Sequence, residues 1–204
     1  MDALIPENTK GKPVDLDTSV SLPTREKAQD CFRRAYKRLL NPPVWHQLGG
    51  ALSAEFVLVN DKGQELERLA EVGDYLRIDV PGPGGHSGRG FDWVVVEMIE
   101  DKANPGAEEE SVGMRVRACE NPAGNEKDTA HFFQSDATST FIIRRKGNTV
   151  TAAYYGRNEV SNTNTEKQTD KLRNALIALG AMAGLSELQW SGLIKGFLSK
   201  EIGG

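Results

Sequence analysis

The chain has 204 residues, 38% of them hydrophobic and 26% charged, which excludes disordered, collagen-like and disulfide-stapled classes. With 25 basic and 29 acidic side chains its formal net charge is -4, so no global field draws it to nucleic acid or an anionic membrane, and neither partner is expected. Cys31 and Cys119 form no Cys-x-x-Cys pair, and no run reaches the roughly 18 apolar residues of a membrane span, so a cytoplasmic protein without metal or cofactor is expected.

Residues 1–23 carry Pro6, Gly11, Pro13 and Pro23 among polar neighbours, without sustained periodicity, and read as an extended or mobile arm. Residues 24–204 are read as one domain. From Thr24 onward Ala28, Cys31, Phe32, Ala35, Tyr36 and Leu39 recur at three- and four-residue spacing, which predicts an amphipathic helix stopped before Pro42-Pro43. A strand follows over 54–59, ended by Asp61-Lys62-Gly63, and a second over 75–80, where Leu76, Ile78 and Val80 alternate with Tyr75, Arg77 and Asp79. The glycine-rich segment 81–90 reads as a loop. Because it leads into a strand and not a helix, it lacks the amide cradle of a phosphate site.

A third strand over 91–99 is apolar on both faces apart from Asp92 and Glu97. An acidic loop with Glu108, Glu109 and Glu110 leads to a fourth over 114–118, with Arg115 and Arg117 opposite Met114 and Val116. The clearest signal is the hairpin over 138–157 around Gly147-Asn148. That turn sets Thr138 opposite Arg157, Thr140 opposite Tyr155, Ile142 opposite Ala153 and Arg144 opposite Thr151. Phe141, Ile143, Val150, Ala152 and Tyr154 share the other face, which is assigned to the core because a one-residue slip would expose all five. Thr163 with Glu166, and Ser186 with Gln189, match capping boxes and predict a C-terminal helical hairpin. The fold expected is therefore α+β: a mainly antiparallel sheet of about six strands, able to curl into a partial barrel, with one N-terminal helix and two C-terminal ones.

No motif carries a chemistry by itself. His46, His86 and His131 lack the spacing that lets one element present two metal ligands, and no serine sits in a nucleophile elbow. Glu97 on an apolar strand calls for a cation, with Arg115 or Arg117 in reach. The surface best suited to recognition is the hairpin's second face, where Arg144, Arg157, Tyr155 and Thr140, extended by Arg115 and Arg117, would meet an anionic small molecule or an acidic protein partner. Simple solvation of a sheet face is its plain reading. The function expected is a non-enzymatic binding or assembly module. The alternative is a hydrolase or lyase with a cavity in the curled sheet and His86, His131, Asp92 or Glu97 as acid and base.

Overall fold

The computed structural model describes residues 3–49, 54–79, 91–124, 135–160 and 187–200. Among them one antiparallel sheet of seven strands runs in the order β1-β7-β6-β5-β4-β3-β2. Its strands are β1 (Val14–Ser21), β2 (Glu55–Val59), β3 (Tyr75–Asp79), β4 (Asp92–Lys102), β5 (Glu109–Ala118), β6 (Thr138–Lys146) and β7 (Thr149–Arg157). Helix α1 (Arg25–Leu39) follows β1, and a single 3₁₀ turn (Pro42–Val44) runs into the short α2 (Trp45–Leu48). Helical residues 187–198 form α3. The fold is α+β, and no described helix is long and apolar enough to cross a membrane.

The seventh strand lies inside the expected arm. Val14–Ser21 pairs with β7 from Val14↔Gly156 to Ser21↔Thr149, so this segment belongs to the sheet. Its alternation is visible only against the paired strand: Val14, Leu16, Thr18 and Val20 are half-buried and the residues between them exposed. As an edge strand it has solvent on one side, which tolerates the polar half of the pattern. The expected acidic loop is also corrected, because Glu109 and Glu110 open β5 and Glu110 is buried. The first helix of the expected C-terminal hairpin lies outside the described residues, as does segment 81–90.

Helix α1 begins where Thr24 Oγ1 accepts from Lys27 N at 3.3 Å, and its apolar stripe of Ala28, Cys31, Phe32, Ala35 and Leu39 packs on β5, β6 and β7. The hairpin register is Thr138↔Arg157 through Lys146↔Thr149, which puts Phe141, Ile143, Val150, Ala152 and Tyr154 on one wholly buried inner face. Trp45 is the hub of that core. Its ring meets Phe56, Phe141 and Phe197 at centroid distances of 5.1, 4.9 and 5.9 Å, and its Nε1 donates to Arg38 O at 2.9 Å. Arg38 in turn reaches α3, its Nη1 donating to the carbonyls of Gly196 (2.9 Å) and Ser199 (2.7 Å), so a cation caps the negative end of that helix.

Arg145 follows the inner alternation into the core and is wholly buried. Its Nε donates to Glu110 Oε1 at 2.6 Å, Nη2 to Ala107 O at 2.8 Å, and Nη1 to Gly147 O at 2.9 Å and Glu108 O at 3.3 Å. The pair ties the 103–108 connection to the hairpin turn, with its hydrogen-bonding capacity met largely by backbone carbonyls.

Candidate functional site

On the inner face polar groups converge at the end of β7. Strand alternation turns Ser139 of β6 and Tyr154 and Gly156 of β7 inward. Tyr154 is wholly buried, and its hydroxyl donates to Glu159 Oε1 at 2.7 Å while lying 3.2 Å from Ser139 Oγ. Gly156 makes this possible, because a Cβ there would stand 2.6 Å from Glu159 Oε1, in the space the carboxyl occupies. Trp190 of α3 stacks on the Tyr154 ring (5.0 Å, 19°), and Phe141 packs at an angle against both rings at 5.2 and 5.4 Å.

Burial dominates the electrostatics here. It raises the Glu159 carboxyl above its ordinary value; the Tyr154 hydrogen bond opposes this, Glu187 adds to it and Arg157 lowers it. Burial, then the charge of Glu159, holds the Tyr154 phenol well above its usual range, so Tyr154 is a permanent donor near neutral pH. Among the described residues Glu159 Oε2 makes no hydrogen bond. The arrangement can accept a hydrogen bond from a molecule lying against aromatic rings.

The outer face distributes the expected arginines among internal partners. Arg115 Nη1 donates to the carbonyls of Ala3 (3.3 Å) and Leu4 (3.2 Å), and Thr140 Oγ1 donates to Leu4 O at 3.4 Å. Arg157 Nη1 lies 2.5 Å from Asp15 Oδ1 and donates to Val14 O at 3.2 Å, with its guanidinium 5.5 Å from the Tyr155 ring centre. Arg144 Nε is 3.3 Å from Glu109 Oε1. Alternation from buried Val96 turns Glu97 to this face, between two guanidinium groups, at a register shift in β4 between Val96 and Met98. Arg117 Nε donates to Glu97 Oε1 at 3.2 Å. Arg115 Nε approaches Oε2 to 2.8 Å, but off the N–H axis, which leaves that nitrogen without a hydrogen bond. Arg115, Arg117 and Thr140 are thus brought together with Glu97. Arg144 lies at the opposite end of β6 from Thr138 and its partner Arg157.

Glu97 therefore faces away from the inner core, which removes it from the cavity expected for an enzyme. Asp92 opens β4 opposite Ile78; His86 and His131 lie outside the described residues. Burial pushes the Cys119 thiol up to about 11 and raises that of Cys31, so neither is a ready thiolate nucleophile. A surface groove of about 350 Å³ runs between Pro43, His46 and β2, rimmed by Glu55, Glu65 and Glu67.

Sequence reasoning missed Glu159 and treated Tyr154 as plain core. The available signal was the polar triplet Arg157-Asn158-Glu159 three residues after the inner-face Tyr154, but nothing local shows the chain doubling back.

No family model matches the chain, and no curated protein matches it. Among solved structures it is similar to TTHA0849 from Thermus thermophilus (14% identity, TM-score 0.43, covering 92% of this chain and 97% of that one). It is also similar to ginseng major latex-like protein 151 from Panax ginseng (10%, 0.41, 88% and 97%) and to protein Ms6760 from Mycobacterium smegmatis (12%, 0.40, 90% and 90%).

Proposed function

We propose that this chain is a non-enzymatic binding module that receives an apolar, ring-bearing small molecule on its inner sheet face, beside Tyr154 and Trp190. Glu159 accepts the one hydrogen-bond donor of that molecule. The observation that carries the reading is the Ser139–Tyr154–Glu159 chain, a hydrogen-bonded polar patch among aromatic side chains, at the opposite end of β6 and β7 from the Arg145–Glu110 pair. A half-buried carboxyl beside aromatic walls suits a few placed polar groups orienting a mostly apolar ligand. Half-buried Val94 and Trp190 offer apolar surface on the same face. The thiols and the tyrosine are held protonated, which supports binding over nucleophilic chemistry.

A second reading, an acidic partner on the outer face, is supported by one observation: Arg144 and Arg117 keep 49% and 39% of their side-chain surface exposed. Such a partner would compete with Glu109 and Glu97.

The inner reading is tested with N-phenyl-1-naphthylamine, a neutral two-aryl probe with a single N–H. Its fluorescence should rise saturably with the wild-type chain. Glu159→Ala and Trp190→Ala should each weaken binding about tenfold, on the order of 1.4 kcal/mol. Equal affinity in folded variants would refute the site.

A further inference from the structure

Glu159 is held from outside the sheet as well as from within. Asn158, just before it, is 8% exposed, and among the described residues it is the one non-glycine with positive φ (57°). Its Oδ1 accepts from Thr9 N (2.8 Å), Lys10 N (3.2 Å) and Thr9 Oγ1 (3.1 Å). Its backbone N–H donates to Asn8 Oδ1 at 2.9 Å, and its Nδ2 to Glu7 O at 3.3 Å. Lys10 Nζ is anchored on Asp136 at 2.8 Å. Gly11, at φ 65°, lies so close to the next peptide that an added Cβ would be 2.9 Å from Glu159 O.

The clasp acts on the direction of one side chain. Along β7 the even positions Val150, Ala152, Tyr154 and Gly156 face inward and the odd ones outward. An uninterrupted strand would therefore send Glu159 outward beside Tyr155 and Arg157. A left-handed residue at 158 breaks the alternation, and the Glu159 side chain crosses to lie over Gly156 against Tyr154.

The geometry points to the 7–11 segment and Asn158 as positioning elements of the inner site: they fix the left-handed turn that delivers the Glu159 carboxyl to Tyr154, so releasing the clasp withdraws the carboxyl from the ligand. This inference rests on the reading of Tyr154 and Glu159 as the gripping pair. It makes residues packed against the chain just beyond β7 determinants of binding on the inner face, without themselves touching the ligand.

The test uses the full chain labelled with ¹³C at glutamate, following Glu159 Cδ through a pH titration. The charged and titratable groups around this carboxyl are Tyr154, Arg157 and Glu187, the last paired with Lys12 at 3.7 Å, and none of them is substituted in the variants. Asn8→Ala removes the acceptor of the Asn158 N–H. Asn158→Gly keeps the positive φ but strips the side-chain bonds to Glu7, Thr9 and Lys10. In both, the Glu159 midpoint should fall toward the ordinary carboxyl value by at least about 0.5 pH units, and N-phenyl-1-naphthylamine affinity should drop severalfold. Folded variants that titrate and bind like wild type would overturn the positioning role. An ordinary Glu159 midpoint in the wild-type chain would instead overturn the inner-site reading, and this inference with it. Should Asn158→Gly fail to fold, Asn8→Ala, changed only on the half-buried arm, decides the question.

Discussion

Leu4 lies against Gly113 on the outer face of β5, wholly buried, with its Cδ2 in the space that a Cβ at position 113 would fill. Arg115 and Thr140 bind the carbonyl of the same leucine, so a proline- and glycine-punctuated segment is fastened at both ends: here, and at Asn158. Gly113→Ala should expel Leu4 and cost about 1–3 kcal/mol through overpacking. It should also speed limited proteolysis within residues 5–13. An unchanged melt and digest would show that Leu4 is not docked.

Arg145 and Glu110 should behave as a buried pair whose partners depend on each other. Arg145→Ala strands the Glu110 carboxylate and should cost about 3–5 kcal/mol in denaturant unfolding. Arg145→Met combined with Glu110→Leu, which removes both charges, should recover much of that loss. A double variant as unstable as Arg145→Ala would mean that the bonds to Ala107, Glu108 and Gly147, and not the charge pair, set the cost.

The outer arginines should separate by burial. Arg157 holds β1 through Asp15 and the Val14 carbonyl with 11% of its side chain exposed, so Arg157→Ala should cost about 1.5–3 kcal/mol. Arg144, half-exposed and paired with Glu109, should cost about 0–1 kcal/mol on the same change. Equal melting temperatures would show that Arg157 does not anchor the edge strand.

Local pattern carried the hairpin and α1, because their signals are short-range: a Gly-Asn turn fixes register, and helical spacing fixes a buried stripe. It missed β1, whose meaning appears only when Leu16 is set beside Tyr154, 138 residues away along the chain. It also misread the surroundings of Ile142. That residue is on the outer face as expected, yet only 6% exposed, in a region that Leu4 helps to cover. The candidate site was illegible for a related reason. One left-handed residue at 158 overrides strand alternation, and its cause is a set of hydrogen bonds to residues 7–10.

Glu159 should give stability a particular pH dependence. Burial raises its folded-state pKa above the ordinary 4.5, so the native state holds its proton where the unfolded chain has lost it. Its contribution is full below the unfolded value and is lost as pH rises through the folded one. Glu159→Gln, which cannot ionise, should therefore gain stability relative to wild type across that window. A constant difference from acid to neutral pH would mean that Glu159 is not buried.

The inner-site reading is tested most directly by mapping amide and indole shifts as N-phenyl-1-naphthylamine is titrated into ¹⁵N-labelled protein. The Trp190 indole and the amides of Ser139, Tyr154, Gly156 and Glu159 should shift together, with one saturating dependence. Shifts confined to the outer face around Arg117 and Arg144, or scattered without saturation, would contradict a ligand site built on Tyr154 and Glu159.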